Sequence, residues 1–243
     1  MFSGKIEDYI LFEDKEIIVC RKPAGIAVQN ARIGAMDLES SLKNYLAMQA
    51  GGGRRIPYLA VIHRLDQPVE GILVFGKTPE AAKSLSAQIT AGKMEKIYLA
   101  VTYGQQAKAG KKETVLEDYL KKDGKSNTSS VVNANTPGAK KARLSYEVLG
   151  EAVDEISGKK KWLLRIHLDT GRHHQIRVQM AHAGMPLAGD RKYGAGTNVT
   201  IGAGSLALCA ASLTFFHPVT GKVMKFVTKP EGTEFKGISI PQM

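Results

Sequence analysis

The stretch Trp162-Leu163-Leu164-Arg165-Ile166-His167-Leu168 alternates in steps of two, then passes through Asp169-Thr170-Gly171-Arg172 into a run with helical spacing. Trp162, Leu164, Ile166 and Leu168 share one side of an extended chain, while Leu163, Arg165 and His167 share the other. That is the pattern of a half-buried strand. Beyond it, Ile176, Met180 and Ala183 align over 173–183, and Gly184 ends the run. Working outward, Ile97, Leu99 and Val101 alternate with Tyr98, Ala100 and Thr102 in the same way. Further short β-like runs lie at 9–13, 17–20, 59–62, 72–75, 144–149, 206–216 and 223–228. Two more helices interrupt them. One, over 37–49, puts Leu38, Leu42, Tyr45 and Leu46 on one face; the other starts at Pro79 behind a Thr78 cap, turns Leu85 and Ile89 inward and ends at Gly92. Strands outnumber helices, and most successive strands have no crossover helix between them. The expected fold is therefore α+β, a mixed, largely antiparallel central β-sheet with peripheral helices.

The chain has 243 residues, enough to bury a real core, and its 43% hydrophobic and 23% charged content is that of a globular protein. No apolar run reaches the ~18 residues a spanning helix needs. The closest, from Ser205 to Phe216, is broken by Ser and Thr. The amino terminus has no signal-peptide core, and two cysteines, Cys20 and Cys209, cannot build a disulfide framework or a zinc cluster. A cytoplasmic protein with no membrane association is the expectation, with a monomer as the default state. Against that plain background, 34 Lys and Arg face 23 Asp and Glu, a formal charge of +11. Short basic clusters recur at Lys111-Lys112, Lys121-Lys122, Lys140-Lys141-Ala142-Arg143 and Lys159-Lys160-Lys161, and read as loops and hairpin ends. They suit either a solvated face or an edge that meets phosphates.

Two segments could carry chemistry. His63-Arg64-Leu65-Asp66-Gln67-Pro68-Val69-Glu70-Gly71 lies between two strand-like runs, which would fix the ends of a reactive loop. The plain alternative is a surface turn with a weak Arg64–Asp66 ion pair. Asp66 and Glu70 also invite comparison with a glycosidase carboxylate pair. In the second segment, Thr170-Gly171-Arg172-His173-His174-Gln175-Ile176-Arg177, Thr170 is placed to cap the helix, and Arg172 with the first free N–H groups suits a phosphate. Arg177 falls roughly 60° from Met180 on a helical wheel, at the margin of the apolar stripe. A partly buried Arg there requires an anion, with Asp66 one candidate and another acid the alternative. His173 and His174 are neighbours whose side chains would diverge on a helix, and no His pair has i,i+4 spacing, so no metal is expected. Tyr193-Gly194-Ala195-Gly196 lacks the full dinucleotide pattern and reads as a turn.

Taken together, His63-Arg64-Leu65-Asp66, then Lys96-Ile97-Tyr98-Leu99-Ala100, then Gly171-Arg172-His173-His174-Gln175-Ile176-Arg177-Val178, with Pro186-Leu187-Ala188-Gly189-Asp190 and Tyr193-Gly194 following, resemble the RluA family of RNA pseudouridine synthases. The opening Ile17-Ile18-Val19-Cys20-Arg21-Lys22-Pro23-Ala24-Gly25 is similar to that family's start. The resemblance runs in order over residues 8–228 and implies a catalytic domain of that extent, with no separate S4 RNA-binding domain. It implies that Asp66 is the catalytic aspartate, Tyr98 the tyrosine stacked on the target base, and Arg177 the basic partner of Asp66. Arg64 would enter the RNA as the base is flipped, and Arg172 would bind RNA. No cofactor is implied, and the partner would be a structured ribosomal or transfer RNA. The chain departs from the family's usual pattern at Val69 and Glu70 before Gly71, at His173 in place of a Thr, and at Gln179 and Met185 where His is common. Two other functions fit the residues: a catalytically silent RNA-binding module, and a nucleoside-bond hydrolase using Asp66 and Glu70.

Overall fold

Strands dominate, as the alternating segments require. The computed structural model describes residues 3–30, 36–51, 56–103, 113–153, 158–194 and 205–242, and among them lie eleven strands and three α-helices. Every strand pair with a resolved register is antiparallel. The chain divides into two units, Met1–Glu95 with Ala210–Lys229, and Lys96–Cys209 with Pro230–Met243.

The first unit holds β1 (Ile10–Glu13), β2 (Ile17–Lys22), α1 (Leu38–Gln49), β3 (Ala60–Val61), β4 (Glu70–Gly76), α2 (Pro79–Thr90), most of β10 (Leu208–Phe216) and β11 (Val223–Val227). Its strand order is β1-β2-β4-β10-β11, with β3 beside β4. All of β4 is buried, so Ile72–Phe75 reads as a continuous apolar run rather than an alternating one. On one face Ile17, Val19, Ile72, Val74, Leu213 and Phe215 pack with Ala81 and Leu85 of α2 and with Met94. Both helices begin where their caps direct. Asp37 accepts from Ser40 N at 2.7 Å, and Thr78 Oγ1 accepts from Ala81 N at 3.2 Å with Pro79 in the first helical position. Gly71 has φ +129, and a Cβ there would overlap the backbone of Ala210. Only glycine lets β4 start at that point.

The second unit holds almost all of β5 (Glu95–Thr102), with β6 (Thr114–Asp123), β7 (Thr128–Val132), β8 (Lys140–Val153), β9 (Lys160–Leu168) and α3 (Gln175–His182). Its strand order is β5-β9-β8-β6-β7. The alternating 162–168 stretch is the heart of β9, and Tyr98 of β5 stands opposite Ile166. Two strands were not expected. β6 buries only Leu120, and β7 buries only Ser129, so neither carries an apolar period; both are held by pairing along β8 and each other. β8 also runs well past 144–149 in both directions, with an irregularity between Val148 and Gly150. Val178 of α3 packs with Leu120 and Ala142, which sets α3 over one face of this sheet.

The basic clusters divide accordingly. Lys111-Lys112 lie outside the described residues. Lys121 and Lys122 are exposed on β6, whereas Lys161 is buried and donates to Glu234 O at 3.3 Å and Lys236 O at 2.9 Å. Lys161 therefore ties down the carboxy-terminal segment and does not belong to an exposed basic edge.

Candidate functional site

In the first unit, the segment with Asp66 connects β3 to β4 and is fastened mainly through main-chain groups. Buried Leu65 anchors it inward, and a turn closes with Val69 N donating to Asp66 O at 3.0 Å. The His63 ring accepts from Val74 N at 3.4 Å. One residue after Asp66, Gln67 O accepts from Gly25 N at 2.8 Å, and Gln67 Nε2 donates back to Gly25 O at 3.0 Å. A third tie comes from Lys22, which has no exposed surface. Its Nζ donates to Ile26 O at 2.7 Å and to Pro23 O and Gln67 O at 3.0 Å. Three carbonyls occupy all three N–H bonds of an ammonium.

Burial pulls the Lys22 ammonium down to about 7, against the opposing pull of the carboxylates of Asp66 and Glu70. A neutral amine has two N–H bonds and would leave one of the three carbonyls without its donor. Asp66 is half-buried, and Glu70 is buried at the start of β4. The two carboxylates thus share the field of one buried cation. Lys22 carries no role in the sequence reading; on β2 it lies on the same side as Ile18 and Cys20, both fully buried. Arg64 is exposed and makes no hydrogen bond or ion pair among the described residues. The Arg64–Asp66 surface pair considered above is therefore not formed.

In the second unit the fastening is through side chains. Arg177 is buried on α3 and donates from Nε to Asp190 Oδ2 and from Nη2 to Asp190 Oδ1, both at 2.8 Å. Its guanidinium also lies over the ring of Tyr193, 5.1 Å from the centroid. Asp190, 1% exposed, accepts further from Lys192 N at 2.9 Å and Tyr193 N at 3.2 Å. Burial pushes the Asp190 carboxyl up, but the hydrogen bond and charge of Arg177 and the two backbone N–H groups outweigh it, and the net shift is downward. Asp190 thus supplies one anion that buried Arg177 requires.

The start of α3 differs from expectation in two ways. Thr170 is not the cap; its hydroxyl donates to Gln175 Oε1 at 2.7 Å, and His174 occupies the cap position with φ 53 and ψ 25. Because His173 and His174 precede the helix, their rings do not diverge but stack at 3.8 Å between centroids. His174 Nδ1 lies 2.6 Å from Tyr193 Oη, which accepts from Ser129 N at 2.9 Å. His173 reaches Ser129 Oγ at 2.9 Å and Asn127 Oδ1 at 3.2 Å, fastening the helix start to the β6–β7 hairpin. Arg172 is exposed and donates from Nε to Lys141 O at 2.9 Å. Tyr98 is buried in β5. Tyr193 and Gly194 form the expected turn, while Ala195 and Gly196 lie outside the described residues. Among the described residues, no group of three or more His, Cys, Asp or Glu is placed to hold a metal ion, and no helix is long and apolar enough to cross a membrane.

Comparison with known proteins decides the family. A family model described as RNA pseudouridylate synthase matches residues 16–182, a span that includes Asp66, Tyr98 and Arg177. The chain belongs to that family. Its members are RNA isomerases, and the RluA resemblance read from the motifs agrees with the individual relatives. Ribosomal large subunit pseudouridine synthase D of Pseudomonas aeruginosa is 32% identical over 232 residues, covering 91% of this chain and 68% of that protein. Ribosomal large subunit pseudouridine synthase C of Pasteurella multocida is 33% identical over 240 residues, covering 97% and 68%. Curated relatives of this kind are matched over 60% to 68% of their own length. Human RNA Pseudouridylate Synthase Domain Containing 4 superposes with a TM-score of 0.72 at 21% identity, over 93% of this chain and 90% of that one. The pseudouridine synthase fold is thereby shown, in agreement with the α+β expectation.

Proposed function

We propose that this RNA pseudouridylate synthase family member isomerises selected uridines of a structured RNA to pseudouridine, working in the cytoplasm, with residues 8–228 as its catalytic domain. Ribosomal RNA is the favoured substrate, because the relatives at 32% and 33% identity are named for the large ribosomal subunit; transfer RNA is the alternative. The match of one family model across Asp66, Tyr98 and Arg177 is the observation that carries the reading.

Uridine must lose its N1–C1′ bond, turn its uracil and rejoin through C5. The proton on C5 leaves and N1 gains one, so no oxidant, reductant or cofactor is consumed. Asp66 supplies a carboxylate that either adds covalently to the base or sugar, or removes a sugar proton as the base departs. Either route uses the carboxylate form of Asp66. Tyr98 offers the ring face on which an extruded base stacks, offsetting an unstacking cost of a few kcal/mol. Arg64 is free to enter the space the base leaves, and Arg172 to meet a phosphate.

Pseudouridine mapping across ribosomal and transfer RNA from a deletion strain tests this. One or a few sites in ribosomal RNA should disappear and return on complementation. An unchanged map in both RNA classes would sink the proposal, while release of free uracil by the purified protein would favour the hydrolase.

A further inference from the structure

Lys96 lies on β5 two residues before Tyr98 and on the same side of the strand, because side chains alternate along it. The separation along the strand is roughly 7 Å. Lys96 is half-buried, and desolvation alone pulls its ammonium below the usual lysine range. Other cations withdrawn from solvent in this unit have partners: half-buried Arg165 pairs with Glu147 at 2.7 Å, and buried Arg177 with Asp190 at 2.8 Å. Lys96 makes no hydrogen bond or ion pair among the described residues. Its Nζ instead sits beside the main chain of Gly171, 3.8 Å from where a Cβ would be, and exposed Arg172 follows directly. A partly desolvated cation without an anion costs stability, and proteins keep such groups where an outside anion completes them.

We propose that Lys96 is a phosphate-binding residue, taking the backbone phosphodiester of the nucleotide whose base stacks on Tyr98. The inference rests on the RNA-modifying function proposed above and deepens it by assigning the sugar-phosphate side of that site. The strand dictates the geometry: base and phosphate are read by two side chains of one face, a fixed step apart, on a rigid element. The ammonium lies beside the main chain of Gly171, and exposed Arg172 adds a second positive charge along the same stretch of loop.

The test uses the full chain and transcribed large-subunit ribosomal RNA as the probe, comparing wild type with Lys96→Met and Lys96→Arg. Lys96→Met should weaken RNA binding roughly tenfold and raise KM by a similar factor while kcat changes little. The slope of log affinity against log salt should fall by about one. Lys96→Arg should restore most of the affinity and the slope. Thermal stability separates this role from a structural one, since Lys96→Met should melt at or above the wild-type temperature. Wild-type affinity and salt slope in Lys96→Met would overturn the assignment, as would a lowered melting temperature that Lys96→Arg also shows. The binding measurement does not depend on turnover. If wild type forms no pseudouridine but Lys96→Met still loses the salt-dependent contact, the isomerase proposal fails and the phosphate site stands.

Discussion

The two segments that share the proposed chemistry are held in opposite ways. Asp66 is positioned through its neighbours' main chain: Gln67 O takes hydrogen bonds from Lys22 and Gly25, and Asp66 O closes a turn with Val69. Arg177 is gripped by its own side chain, with Asp190 on two guanidinium nitrogens and Tyr193 beneath its plane. The first arrangement fixes the backbone that carries a carboxylate, and the second fixes a guanidinium directly. In each unit the side chain that does the holding, Lys22 in the first and Asp190 in the second, is buried.

That contrast can be broken at either end. The largest effect is expected at Asp190→Ala, which removes the carboxylate held by two nitrogens of buried Arg177 and should cost about 3–5 kcal/mol by denaturant unfolding. The effect carries a pH signature. The Asp190 carboxyl is lowered in the folded protein, so its contribution is present above the usual Asp range and lost as pH falls through the lowered value. The stability gap between wild type and Asp190→Asn should therefore close in acid. A gap independent of pH would mean that Asp190 acts by packing alone.

Lys22→Met should be milder in stability and sharper in function. Three carbonyls lose a donor while a buried cation is removed, and the balance is about 1–2 kcal/mol destabilising. Turnover should fall more than RNA affinity, because the loop after Asp66 loses a tie. Equal losses in both, or none in turnover, would show that the main-chain anchoring of Asp66 does not depend on Lys22. The smallest change is Tyr193→Phe, which keeps the ring under Arg177 but deletes the hydroxyl bound to His174 and Ser129. About 1 kcal/mol is expected in thermal unfolding, with turnover near wild type. A large loss of turnover would move Tyr193 from holding Arg177 to a role of its own.

Much of the fold was legible because its central strands obey simple periods. The alternation of 162–168 and 97–102 survives as β9 and β5, and the caps at Asp37 and Thr78 start α1 and α2. β6 and β7 were hidden because pairing rather than apolar spacing holds them, and the sequence shows in β6 only the basic pair Lys121-Lys122, which reads as a loop or hairpin end. At the site, Asp66, Tyr98 and Arg177 came from ordered motifs, whereas Asp190 required the fold to bring it beside α3. The misplaced cap at Thr170 has a local cause. His174 in the left-handed region ends the approach to α3 one residue before Gln175, a conformation a non-glycine side chain adopts only when neighbours such as Tyr193 hold it.

The central claim is that Asp66 carries the isomerisation on a loop held by others. Asp66→Asn removes the carboxylate charge and preserves the shape, so the decisive measurement is pseudouridine formation by this variant on large-subunit ribosomal RNA, with RNA affinity and melting temperature recorded alongside. Product formation should fall roughly 1,000-fold or more while affinity and stability stay close to wild type. Turnover at the wild-type rate by Asp66→Asn would contradict the account.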